Sequence, residues 1–568
     1  MKNDDRLPQP DQEAMSFPGW ALIWGIFALG ICLIVLNQFR LDWSMVPGNL
    51  SDGRFNNYIL EHFYLWTKNP LQNYWNAPFF YPYTNVIAFS DNLLGAAPLY
   101  AAFRSIGLSR ETAFQGWYLL SFFFSYAAAV YVLSRSQLHA SAIGFGAFFF
   151  SFGLPLLGEE VHSQLFYRFC IPLVCCFFFA FFHQPTLKRL VVAIFFLVWQ
   201  FYLSIYLGFF LIMLLAVLAI LMPFAEKGLS IKERLLLWPR KLYQSWSQSS
   251  TKEKTFFLVI TALTGLAYFG LMLPYYKATQ DYNFYRIWST IYQKLPTFDN
   301  FWSAYHSTIW KFLSKPSGTY VTNRESQLFV GIAILIIITI GLIARFKTKN
   351  SQTAWTYFGA AILITILTTN FNGYSIYWLI WMLPGFNSIR AVARIQLVLM
   401  WPLAFFAAYT IDGILRSGNK KNIWLHLGIA ILTIALISES TFVQHTSYPK
   451  AVGVARIANL KKKLPPGLTK ESIVVVGVNT KQSVNRRRYT EIDAMLVADE
   501  LGFYTMNGHS GNYPPGYITI SNCKKLDAAV QKYAQINHMP DKRAFYRAFM
   551  HRLVILGIKN CNQHAAPK

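Results

Sequence analysis

Apolar runs of about 17–22 residues recur along this chain, the length an α-helix needs to cross the hydrocarbon of a bilayer. The first covers Phe17 to Asn37. Others lie near 112–133, 140–157, 164–182, 189–204, 206–224, 255–274, 327–344, 353–369, 395–415 and 422–441. The apolar run from Leu190 to Phe224 is too long for one crossing, and the polar break Gln200–Tyr206 divides it. The pattern predicts an α-helical polytopic membrane protein of roughly eleven transmembrane helices. Leu93–Gly107 is short and contains Pro98 and Arg104, so it reads as a half-embedded helix that does not cross.

With that choice, alternate loops are all basic. They carry Arg135; Lys188 and Arg189; Lys227 to Lys254, with seven Lys/Arg; Arg345, Lys347 and Lys349; and Arg416, Lys420 and Lys421. Such loops face the cytoplasm. The N-terminus is then cytoplasmic, the first span reads as a retained signal anchor in the inner membrane, and Gln38–Arg110, Gly158–Ser163, Tyr275–Ser326 and Asn370–Arg394 lie outside together. A membrane domain at 1–441 is followed at 442–568 by a tail on the same outer side. The tail reads as a small α/β domain: VARIANLKKKL and LDAAVQKYAQI have helical spacing, while SIVVVGV and VILGI are strand-like.

Composition agrees. Of 568 residues, 54% are hydrophobic, 17% aromatic and 14% charged, against roughly 25% charged in soluble domains. Net charge is +25. The basic residues are spread through loops beside apolar spans, which fits anionic membrane lipids and not nucleic acid. The six cysteines form no metal-binding spacing; Cys523 and Cys561 could pair in an oxidising compartment.

Chemistry concentrates outside. Asp52 follows the first span between Gly48 and Gly53, and Glu61 and His62 share a helical face with Tyr58 and Leu65. That face is expected to lie along the membrane surface toward a pocket. Low dielectric would raise the pKa of an unpaired carboxylate there and suit it to general base work. Asp91 precedes the half-embedded helix as a second candidate, or as an N-cap. Tyr81, in FFYP, belongs by default to an interfacial aromatic belt, or offers a ring for stacking on a sugar. GEEVHSQLFYR contributes Glu159, Glu160, His162 and Arg168. Arg390 and Arg394 are i, i+4 neighbours at the outer start of a span and suit a phosphate. In the tail, LGFYTMNGHSGNYPPGY is a turn-rich loop that either packs the tail against the bundle as a structural turn or brings His509 to an acceptor.

These features resemble the GT-C superfamily of membrane glycosyltransferases, which includes protein O-mannosyltransferases, the aminoarabinose transferases of lipid A and YfhO-like bacterial enzymes. The resemblance rests on Asp52, on Glu61 and His62, on FYP…SDNLLG…PLY, on QFYLSIYLGFFL, and on PGF followed by Arg390 and Arg394. It implies an inverting transferase using a polyprenyl-phosphate sugar on the extracytoplasmic face, with an envelope lipid, glycan or protein as acceptor. Asp52 would then be the catalytic base, assisted by Glu61, His62 and Asp91. No cofactor is required, although Asp52, Asp91 and Glu159 could hold a divalent metal. The rival reading is a transporter or lipid flippase, whose charges would line a path through the bundle.

Overall fold

The computed structural model describes residues 15–314, 326–418, 422–558 and 561. The polar N-terminal segment 1–14 and the basic pair Lys420 and Lys421 lie outside the described residues.

Among those residues, eight helices are long and apolar enough to cross a membrane: Phe17–Phe39, Arg110–Arg135, Ala140–Leu157, Ser163–His183, Ile205–Ala225, Thr251–Tyr282, Val392–Ser417 and Ile423–Thr441. The expected spans at 189–204, 327–344 and 353–369 are also helical, over Leu187–Leu203, Ile332–Ala344 and Ser351–Thr368. The second of these is shorter than expected. Gly331 turns the chain at φ +98°, and the Ile332 N–H at the helix start donates to the Glu439 carboxylate at 2.7 Å.

Ala140–Leu157 and Val392–Ser417 form the centre of the bundle and pack against each other. Thr251–Tyr282 is buried over only 11% of its apolar window. An apolar helix with so little protein cover is stable only against lipid. The long apolar run divides at Ser204, whose extended backbone separates Leu187–Leu203 from Ile205–Ala225. The expected half-embedded helix is Ala97–Ser105.

The tail is an α/β unit. Strands Ile473–Val476, Tyr504–Thr505 and Leu553–Leu556 form a parallel sheet with Ile473–Val476 in the middle. Helices Lys450–Lys461, Val484–Leu501, Cys523–Ile536 and Lys542–His551 surround it. Asn522 caps the third of these and Asp541 the fourth. Cys523 and Cys561 are disulfide-bonded with their Cα atoms 5.4 Å apart.

Tail and bundle are stitched together. Met45–Pro47 pairs antiparallel with Ser447–Pro449. The Phe80 and Tyr81 N–H groups donate to the Asn507 and Thr505 carbonyls, and the Thr505 N–H donates to Pro78 O, so the FFYP segment extends the tail sheet as an edge. Helix Val484–Leu501 is consequently held against Asp52–Lys68, the first helix of the motif loop.

Candidate active site

Asp52 begins the helix Asp52–Lys68. The turn into it is tight: a Cβ on Gly48, where φ is +86°, would come 2.9 Å from the Gly53 Cα, and one on Gly53 would come 3.0 Å from the Gly48 Cα. Both positions therefore need glycine. The helix does not present a single inward face. It is buried nearly all round from Gly53 to His62, because the tail covers the side that the sequence pattern leaves for water.

The tail supplies the partner of Asp52. His509 Nε2 donates to Asp52 Oδ1 at 3.0 Å, and the Tyr513 hydroxyl lies 2.7 Å from His509 Nδ1. Asp52 Oδ2 has no protein partner among the described residues, and 37% of the side chain is exposed. Burial pushes the Asp52 carboxyl up, but the His509 hydrogen bond and the charges of His162, His509 and Arg488 outweigh it and hold the pKa at about 2. The expected raised pKa is thus reversed by pairing.

Behind Asp52 lies the loop 158–163. His162 Nδ1 is 2.8 Å from Glu159 Oε2, and Arg394 Nε is 3.6 Å from the same oxygen. The Arg394 guanidinium sits over the Tyr206 ring, 5.2 Å from its centroid. Arg390, four residues earlier, is half-buried. Its backbone N–H donates to the Tyr206 hydroxyl at 3.3 Å. Arg286, on the loop after Thr251–Tyr282, faces it: burial first, then the Arg390 charge, lowers the Arg286 pKa. Arg286 is held in place by the Asn512 side chain and by Gly511 O in the tail loop. The structure thus gathers Asp52, His509, Glu159, His162 and Arg394, with Arg390 beside Tyr206.

Six expected site residues are committed to structural contacts, and one of them, Asp91, borders the cluster, close enough to the Arg394 guanidinium to feel its charge. Glu61 accepts both Arg104 Nε and Nη2 at 2.9 Å and the Tyr100 hydroxyl at 2.5 Å, which locks Ala97–Ser105 to the motif helix. His62 Nδ1 donates to Asp499 at 3.0 Å, and Nε2 donates to Tyr74 O at 2.9 Å. With both nitrogens donating, the ring is an imidazolium. Burial opposes that charge, but Asp499 raises the pKa overall. Asp91 caps a helix other than its own: its oxygens accept Ile205 N at 2.7 Å and Ser204 Oγ at 3.1 Å. That bond closes the break in the apolar run and leaves Asp91 buried beside Ser204. Arg168 is fully buried; its guanidinium donates to Leu397 O at 3.0 Å and to Phe150 O, clamping three helices. Tyr81 packs its ring 4.4 Å from Tyr504 and receives Arg552 Nη1 on its hydroxyl at 3.1 Å, so it serves tail docking. Glu160 likewise holds the tail, accepting His445 Nδ1 and Thr446 N, both at 2.5 Å.

These pairings bear on the divalent metal that Asp52, Asp91 and Glu159 could hold. Asp91 caps a helix, Asp52 Oδ1 takes His509, and Glu159 Oε2 is paired by charge with His162, while Asp52 Oδ2 stays open. Among the described residues, no group of three or more His, Cys, Asp or Glu is placed to hold an ion. The three carboxylates therefore do not form a ready-made three-ligand group among the described residues.

Sequence reasoning missed Arg286 and Arg488. Arg286 carries no separate signal, since it shares the loop Tyr275–Ser326 with Lys277, Lys294, Lys311, Lys315 and Arg324. Arg488 lies in NRRRYTEID, whose 3.6-residue pattern is obscured by polar residues that bury themselves in ion pairs.

No family model matches the chain, and no curated protein matches it. Among solved structures it is similar to the oligosaccharyltransferase of Archaeoglobus fulgidus. The apo form matches at TM-score 0.49 and 13% identity, covering 86% of this chain and 64% of that one. The complex with an inhibitory peptide and a dolichol-phosphate matches at TM-score 0.46 and 13% identity, covering 87% and 64%. The complex with Zn and sulfate matches at TM-score 0.44 and 13% identity, covering 86% and 62%. The chain spans under two thirds of the length of these structures, and with every TM-score below 0.5 the function is reasoned from the site.

Proposed function

We propose that this protein is an integral-membrane glycosyltransferase of the GT-C type. It transfers a sugar from a polyprenyl-phosphate donor to a cell-envelope acceptor on the extracytoplasmic face, with inversion, and requires no cofactor. The N-terminus is then cytoplasmic and the tail extracytoplasmic. The observation that carries the reading is a partly exposed, ionised Asp52 that follows the first apolar helix, with arginines on a neighbouring segment and a tail loop over it.

In the reaction the acceptor oxygen bonds to the sugar C1 as the C1–O bond to phosphate breaks, and that electron pair leaves with the phosphate. Arg390 and Arg394 meet the developing charge, which is the main catalytic demand. Asp52 Oδ2 accepts the hydrogen bond of the acceptor hydroxyl and orients it. A carboxylate of pKa about 2 is a weak base toward a free alcohol. It suffices late in the reaction, because an oxygen already bonded to C1 and still carrying its proton is a stronger acid than a carboxylic acid. His509 fixes the Asp52 rotamer, and Tyr513 fixes His509.

The test is genetic. Envelope lipids and glycans are compared between a deletion strain and the same strain carrying wild type or Asp52→Asn. A sugar missing from the deletion strain, restored by wild type and not by Asp52→Asn at equal protein level, supports the reading. An unchanged envelope in the deletion strain refutes it.

A further inference from the structure

The end of the bundle away from Asp52 holds a cavity of about 450 Å³. It lies between the C-terminal end of Val392–Ser417 and the connection leading into Ser351–Thr368. Arg394 at one end of the first helix and Arg416 at the other are about 33 Å apart at 1.5 Å per residue, so this cavity opens on the opposite side of the membrane.

Its lining carries Lys347, Lys349 and Arg416 beside one buried carboxylate, Asp412. Asp412, 1% exposed in its side chain, is already committed: it accepts Arg416 Nε at 2.6 Å, His139 N at 3.0 Å and His139 Nδ1 at 2.6 Å. Arg416 Nη2 is tied to Gln137 O at 2.7 Å. The guanidinium is therefore held in a fixed place. Lys347 and Lys349 have no carboxylate partner among the described residues. Burial first, then the Arg416 charge, lowers the Lys349 pKa, so the cations crowd one another. The start of Ser351–Thr368 lies at the rim, where Asn350 Nδ2 is anchored to Ser136 O at 2.7 Å, and a helix start adds partial positive charge. Leu342 and Ile343 are exposed beside it, an apolar surface along which acyl chains could lie.

We propose that this cavity binds a phosphate-bearing anion, supplied either as the headgroup of an anionic phospholipid or as a soluble phosphate compound. Two lysines without a carboxylate partner, beside an Arg416–Asp412 ion pair that fixes the guanidinium at the same cavity, suit a phosphate, and basic pockets between membrane helices on the cytoplasmic side bind anionic headgroups. The site is independent of the transfer reaction.

The full-length protein in detergent is titrated with dioctanoyl phosphatidic acid, with dioctanoyl phosphatidylcholine and with inorganic phosphate, and binding is read by native mass spectrometry. Lys347→Ala/Lys349→Ala is measured alongside, with its ligand-free melting temperature as the folding control. Phosphatidic acid should bind in preference to phosphatidylcholine, and the double variant should weaken it by about tenfold or more at an unchanged melting temperature. Failure of inorganic phosphate to compete identifies the lipid as the source, and full competition identifies the soluble anion. If Lys347→Ala/Lys349→Ala lowers the melting temperature, Lys349→Gln alone is used. Equal binding by the wild type and the folded variant overturns the proposal.

Discussion

Asp493 is the most consequential buried charge between tail and bundle. It receives Arg54 Nη1 at 2.6 Å and Arg456 Nη2 at 2.5 Å. Arg54 belongs to the motif helix and is 3% exposed in its side chain, whereas Arg456 is 31% exposed. Arg54 Nη2 has no hydrogen-bond partner among the described residues, so Asp493 is its main compensation. Asp493→Asn leaves that guanidinium buried and unpaired, which costs about 3–5 kcal/mol. Arg456 can turn to water, so the lower end applies. About 3 kcal/mol corresponds to roughly a hundredfold rise in tail opening. Hydrogen exchange on the full-length protein in nanodiscs should show that loss of protection in Val484–Leu501 and Asp52–Lys68, and little change at Val392–Ser417. Arg54→Met with Asp493→Leu should be milder than Asp493→Asn, since it removes both buried charges. Protection in Asp493→Asn within threefold of wild type would refute the reasoning.

Glu491 gives a pH test. Burial pushes its carboxyl up to about 7 despite hydrogen bonds from Asn507 Nδ2 and the Gly508 N–H. A carboxyl raised in the folded state is most stabilising below its unfolded pKa of about 4.5, and that stability is lost as pH rises toward 7. Glu491→Gln should therefore raise the melting temperature at pH 8 by the equivalent of about 2–3 kcal/mol and not at pH 4.5; equal effects at both pH values would contradict the assignment. Cys523→Ser should destabilise the tail by about 3–4 kcal/mol, given the 38-residue separation of the bonded pair, read as a lowered urea midpoint. Arg394→Ala should weaken donor use by tenfold or more, with Lys restoring only part because one ammonium cannot make a bidentate phosphate contact; unchanged donor saturation would remove Arg394 from the site.

Much of the fold is legible because apolar run length and strand pattern follow backbone geometry. The break at Ser204, the short helix after Leu93 and the strand SIVVVGV come from that rule. Helix Val484–Leu501 escaped it. Its buried face includes Glu491 and Asp493, which look solvent-facing until Asn507, Arg54 and Arg456 are placed against them. The site divides the same way. Boundary position singles out Asp52 and Arg394 from sequence. Glu61, His62, Asp91 and Arg168 have the same residue types but spend their charges on helix-to-helix contacts that only tertiary structure reveals.

The most direct measurement is transfer of a radiolabelled sugar from polyprenyl-phosphate donors to envelope acceptors by the purified full-length protein. Wild type should turn over donor. Asp52→Asn should fall to about one per cent or less while donor affinity stays within about threefold, because Asp52 orients the acceptor and the arginines hold the phosphate. Asp52→Asn with wild-type turnover, or a wild-type protein that binds these donors and transfers nothing, would contradict the assignment of this site as a glycosyltransferase centre.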